Sequence, residues 1–151
     1  MIGRSTLAPM QTVHATAVAI GGEGVLIRGP SGSGKSDLAL RLIDEGAMLV
    51  ADDRTELFVE SGRVMARAPA GIAGKLEVRG MGIVCLPNLD VAPLTMVVDL
   101  VDSGRYERMP AANAVTMLGR PVPRLELAPF EDSATAKLRL ILRVGPGAIE
   151  R

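Results

Sequence analysis

Gly29-Pro30-Ser31-Gly32-Ser33-Gly34-Lys35-Ser36 is preceded by the apolar run VLIR (25–28) and followed by DLALRLIDEG (37–46). The first flank has the composition of a strand. The second carries Leu38, Leu42 and Ile43 at helical spacing and stops at Gly46. Strand, glycine-rich loop, helix is the arrangement in which successive backbone N–H groups and a helix N-terminus converge on one anion. The pattern G-x-x-x-x-G-K-S adds a lysine that spans to terminal phosphates and a hydroxyl suited to Mg2+. These eight residues are therefore candidate nucleotide contacts, and the fold they predict is α/β.

Outward from this unit, TVHATAVAI (12–20), the GGEG turn and VLIR form an expected hairpin that sets His14, the one histidine, in a strand beside the loop strand. AMLVADD (47–53) is a buried-strand pattern ending in two acids. TELFVESGRVMAR (55–67) alternates about a Ser61-Gly62 turn, so the sheet is expected to be mixed. Residues 68–81 are too glycine-rich for a helix and are expected to form a functional loop. GIVCLP (82–87), LTMVVDLVD (94–102) and a short PVPRLELAP (121–129) are strands, and GRYERMPAANAV (104–115) is a polar loop. EDSATAKLRLILRV (131–144) is a final amphipathic helix.

The 151 residues are 48% hydrophobic, enough for one core and one domain: a flexible start over 1–11, then a folded unit over 12–151. Seventeen basic residues balance seventeen acidic ones, so no basic field exists to hold nucleic acid or an anionic membrane. Aromatic content of 2% leaves no array of base-stacking platforms. No apolar run has the length of a membrane span, and no leader pattern opens the chain. Cys85, the single cysteine, is expected to be a buried apolar residue without a chemical role, and the compartment to be cytoplasmic.

Phosphoryl transfer needs a group to orient or deprotonate the acceptor and ligands for a metal, and acids at strand ends suit both tasks. Asp52-Asp53 and Asp99 both end apolar runs, and the pattern alone does not choose between them. Neighbours in an extended segment point to opposite faces, so at most one of Asp52 and Asp53 looks at a terminal phosphate. Glu77 and Arg79 share a face if their segment is extended, and would serve equally as metal ligand and phosphate clamp or as a surface ion pair. Arg108 in RYERMP and His14 are open in the same way between phosphate contact and a solvated or half-buried side chain.

Three blocks, VHATAVAIGGEGVLIRGPSGSGKSDLAL, LVADDRTEL and LEVRGMGIV, resemble in order and spacing the catalytic domain of HPr kinase/phosphorylase, over roughly residues 12–143. The resemblance implies a mixed-sheet P-loop kinase fold related to phosphoenolpyruvate carboxykinase. It implies ATP- and Mg2+-dependent phosphorylation of a serine on HPr or a nitrogen-type paralogue, by a homo-hexamer. It makes Asp53 the base with Asp52 beside it and sets His14, Lys35 and Arg108 around the phosphoryl group. It gives Mg2+ to Ser36 and Glu77, places Arg79 and Gly80 in a loop used in both reaction directions, and leaves Asp99 a strand-end residue. In the reverse, phosphorolytic direction inorganic phosphate attacks the phosphoserine. LAPFEDSATAK (127–137) departs from the family by lacking a Pro-Gly-Arg-Asn-like run used in dephosphorylation, with Glu131 and Asp132 there instead. The short chain resembles the form without an N-terminal domain. A small-metabolite kinase and a non-catalytic nucleotide sensor would carry the same loop.

Overall fold

The computed structural model describes residues 10–103 and 114–150. Eleven strands and two helices follow in chain order. They are β1 Met10–Val13, β2 Thr16–Ile20, β3 Glu23–Arg28, α1 Lys35–Asp44, β4 Met48–Ala51, β5 Thr55–Glu60, β6 Arg63–Arg67, β7 Lys75–Val78, β8 Gly82–Cys85, β9 Val91–Leu100, β10 Ala114–Met117, β11 Arg120–Leu127 and α2 Ala134–Val144. A short 3-10 turn at Pro146–Ala148 follows α2.

Nine strands form one mixed sheet, ordered β1-β5-β6-β9-β3-β2-β4, with β11 added to β9 and β10 to β11. Strand β9 is shared: residues 91–93 pair with β6, residues 94–99 with β3 and residues 97–100 with β11. Both β3 and β11 run parallel to β9. Strand β4 runs the same way as β3 because each is antiparallel to β2. The carboxyl ends of β3, β4, β9 and β11 therefore share one rim, the side on which open α/β sheets bind their ligands.

The inner strands are apolar throughout because they are covered on both faces. Val18, Val25, Ile27, Leu49, Met96 and Val98 face α1 and α2, packing on Leu38, Leu42, Leu138 and Ile141. Their sequence neighbours Ala17, Ala19, Leu26, Val50 and Val97 face the opposite core with Leu57, Val64, Met117 and Val122. The two-residue turns Gly21-Gly22, Ser61-Gly62 and Leu118-Gly119 all have positive φ at both positions, the turn whose twist suits a tight hairpin.

Several local expectations are corrected. The stretch 12–20 is two strands: β1 pairs with β5 and β2 with β3 and β4, so the chain changes partners at His14-Ala15, and His14 sits in that bend. Met10, the first described residue, is already paired, against the flexible start expected over 1–11. Residues 75–78, expected in a loop, are β7, which closes a separate two-stranded ribbon with β8. That ribbon buries one face only. Period two puts Leu76 inside and Cys85 with Ile83, Lys75 and Glu77 on the open face, so Cys85 is exposed. Residues 114–115 open β10, and β11 is eight residues long with Pro121 and Pro123 inside it. Both prolines lie in the half that pairs with β10 alone, so no missing N–H falls in the parallel ladder to β9.

Candidate functional site

The glycine loop leaves β3 at the shared rim and enters α1 at Lys35. Gly32 and Gly34 have φ of 81° and 105°, a region closed to most side chains. At Gly34 the space is taken as well, since a Cβ there would stand 2.8 Å from the Phe130 ring. Ser33 N–H donates to Pro30 O (3.0 Å), closing the loop, and Lys35, 7% exposed, folds back so that Nζ donates to Gly29 O at 2.7 Å and Pro30 O at 3.1 Å. The Ser33 hydroxyl is buried with no hydrogen-bond partner among the described residues.

The second part of the site is the end of β4. Asp52 is organised from three sides: Ser36 Oγ donates to its Oδ1 at 2.8 Å, Thr16 Oγ1 to Oδ1 at 3.0 Å, and Glu77 N–H to Oδ2 at 3.0 Å. Asp53 follows with φ 68°, a left-handed conformation that Asp tolerates better than most residues. Its N–H donates to Thr16 Oγ1 at 3.2 Å. This backbone reversal, and not the alternation of an extended strand, sends the two carboxylates apart, because β4 ends at Ala51. Asp52 goes to the helix, and Asp53 goes outward to His14, whose Nε2 is 2.6 Å from Asp53 Oδ1.

The loop, Asp53, Glu77, Arg79 and Phe130 line one cleft of about 440 Å³. Glu77 ends up there through the β7–β8 ribbon, held against the fold by fully buried Leu76, and Arg79 through the turn Val78–Met81 closed by Met81 N–H to Val78 O at 2.9 Å. All the sequence candidates within the described residues thus meet in one place except Asp99; Arg108 lies outside those residues. Asp99 stands on the same rim but is taken by Arg28 and Arg124, and Arg28 grips it with both Nε (2.7 Å) and Nη2 (2.8 Å). Burial alone would raise its pKa, but the hydrogen bonds and charges of the two guanidiniums outweigh that and hold the carboxyl below the ordinary range.

Thr16 escaped the sequence reading. Its signal was a hydroxyl inside an otherwise apolar strand, TAVAI, one that is fully buried and therefore needs partners. Phe130, one of the few aromatics in the sequence and given no role there, is the one aromatic among the described residues that line the cleft.

The oxygen-only set of Ser36, Asp52 and Glu77 suits a hard cation such as Mg2+. Gly29 leaves room for the buried Ser33 side chain, since a Cβ there would meet Ser33 Oγ at 2.5 Å, and the open wall formed by Ser31, Gly32, Gly34, Lys35 and Ser36 fits a phosphate chain.

A family model for the HPr serine kinase C-terminal domain matches residues 5–128. The chain belongs to this family. The HPr kinase/phosphorylase of Bordetella petrii is 38% identical over 133 residues, covering 80% of this chain and 43% of that protein. The HPr kinase/phosphorylase of Clostridium tetani is 45% identical over 83 residues, 55% of this chain and 27% of that protein. The chain thus spans less than half the length of these HPr kinase relatives. The solved HPr(Ser) kinase/phosphatase from Coxiella burnetii superposes with a TM-score of 0.78 at 26% identity, covering 88% of this chain and 94% of that one. The mixed-sheet α/β class of the HPr kinase domain is therefore the fold of this chain.

Proposed function

We propose that the chain is a protein-serine kinase that transfers the terminal phosphoryl group of ATP, with Mg2+, to a serine hydroxyl of an HPr-like carrier. The acceptor is HPr or its nitrogen-type paralogue. Family membership supports the class of reaction. The single observation that carries the site is the division of labour at the end of β4, where Asp52 is bound to Ser36 and Asp53 opens on the cleft.

In this reading the N–H groups of the glycine loop and the start of α1 hold the phosphate chain, and Lys35 swings from Gly29 O and Pro30 O to the transferring group. Ser36, Asp52 and Glu77 hold Mg2+, which when bound offsets the negative charge on the phosphate oxygens. Asp53 accepts the seryl proton as the oxygen attacks phosphorus, and His14 orients that carboxylate from 2.6 Å. Arg79 and Arg108 stabilise charge on the phosphoryl oxygens. In phosphorolysis the roles reverse: phosphate attacks the phosphoserine, pyrophosphate leaves, and Asp53 returns the proton to the seryl oxygen. We place the protein in the cytoplasm on the strength of its family; no described helix is long and apolar enough to cross a membrane. Its assembly is a homo-hexamer, which sedimentation of the purified chain tests.

The deciding experiment is intact-mass analysis of HPr-type carriers after incubation with the chain, Mg2+ and ATP, then with added inorganic phosphate. A phosphoryl gain on the carrier serine is expected, and its loss with pyrophosphate release would extend the function to phosphorolysis. Asp53→Asn should lower transfer by about 100- to 10,000-fold while nucleotide still binds. No gain on any carrier would favour a small-metabolite kinase or a sensor, and unchanged transfer by Asp53→Asn would remove Asp53 as the base.

A further inference from the structure

Phe130 is 70% exposed, yet it is far from a loose surface side chain. It sits in the connection between β11 and α2, and this connection is pinned on both sides of it. Before it, Pro129 is buried and its carbonyl accepts from Arg41 Nη2, while Arg41 Nε is itself held by Asp37 at 3.1 Å. After it, Glu131 accepts from Ser103 Oγ at 2.9 Å and from Lys137 Nζ at 3.1 Å. The ring edge fills the space where a Cβ on Gly34 would stand, so it lies directly against the start of α1. The rest of the ring faces the open cleft beside Asp37 and Leu40, next to the residues that cradle a phosphate chain. Phe58, the other phenylalanine, is by contrast covered by the Arg67 guanidinium at 4.4 Å.

We propose that Phe130 is the platform on which the base of the bound nucleotide stacks. This rests on the phosphate-binding role of the glycine loop given above. With the phosphates held by loop N–H groups, the base is carried away from Lys35 along the start of α1. An aromatic side chain at that point, on a connection held on both sides, supplies stacking at a low ordering cost, because its backbone is already placed in the free protein. The contact reads the flat face of the base rather than its edges, so purines, with the larger face, are favoured over pyrimidines, and adenine and guanine are scarcely distinguished. It also distinguishes nucleoside triphosphates from inorganic polyphosphates, which share the loop but have no base to stack.

The test compares Mg-ATP and Mg-tripolyphosphate by calorimetry on wild-type protein and Phe130→Ala. ATP affinity should fall about tenfold, within the range measured for base–aromatic stacking, while tripolyphosphate affinity stays within about twofold. Phe130→Trp should restore ATP affinity. Because the chain has no tryptophan, that variant also carries a single reporter, whose fluorescence ATP should quench and tripolyphosphate should not. Equal losses for both ligands would make Phe130 a prop for the loop, and no loss for either would put the base elsewhere. An effect confined to the KM of a protein acceptor would make the ring a docking contact. Each of these overturns the proposal. Wild-type protein that binds neither ligand would overturn the phosphate-site reading beneath it, a failure distinct from the other three.

Discussion

Thr16 shows how much a site depends on a residue without chemistry of its own. Its hydroxyl donates to Asp52 Oδ1 at 3.0 Å and accepts the Asp53 N–H at 3.2 Å, so one buried oxygen fixes both the Asp52 carboxylate and the backbone turn that aims Asp53. Valine has nearly the same shape but leaves the Asp53 N–H and one Asp52 lone pair without that partner. Thr16→Val should therefore lower kcat about tenfold with little change in the KM for ATP, since the glycine loop is untouched. Thr16→Ser should recover most of the rate because it keeps the oxygen. A fall in folding stability with kcat intact, or no rescue by serine, would reduce Thr16 to a packing residue.

At the scale of elements, the β5–β6 hairpin shows a local rule broken at small cost. Its turn residues Ser61 and Gly62 have φ of 51° and 78°, and serine lacks the side chain that best tolerates the left-handed region. Asn-Gly is the preferred pair for this turn, so Ser61→Asn should stabilise the fold by about 0.5 kcal/mol, read from the shift in denaturation midpoint. A lower midpoint would show that Ser61 makes a compensating contact. This hairpin, like Gly21-Gly22, was legible because the turn residues and the alternation on either side agree. The glycine loop and α1 were legible for the same reason. What escaped were features set by distant partners. His14 was placed inside a strand because nothing local marks the change from β5 to β3 and β4. The β7–β8 ribbon was taken partly for a loop because its glycines serve the turn and its burial is one-sided. Cys85 reads as apolar until the ribbon's register turns it outward. The acids show the same division: the strand-end pattern left Asp52, Asp53 and Asp99 all open and only the resemblance set Asp99 aside, whereas the folded chain shows the physical reason, Arg28 from 71 residues before it and Arg124 from 25 residues after it.

At the scale of the molecule, Asp99 joins three strand ends. Arg28 comes from β3 and is the residue before the glycine loop; Arg124 comes from β11; and Asp99 closes β9 between them. The cluster therefore ties the rim that carries the site. Its Asp99 carboxyl has a lowered pKa in the folded protein, so the folded state favours the ionised form more than the unfolded chain does. The stabilisation is then complete above the unfolded value near 3.8 and is lost as pH falls through the lower folded value. Asp99→Asn keeps the shape and removes the charge at every pH. With Asp99 and Arg124 about one-fifth exposed and Arg28 one-third, solvent screening reduces the loss below that of a fully buried pair, to about 1–2 kcal/mol at pH 7. Urea unfolding of the two proteins should show that gap at pH 7 and a steady narrowing below pH 4, where the wild-type carboxyl takes up its proton. A gap that stayed constant across this range would mean that the aspartate stabilises the rim through its shape and neutral hydrogen bonds, not through its charge.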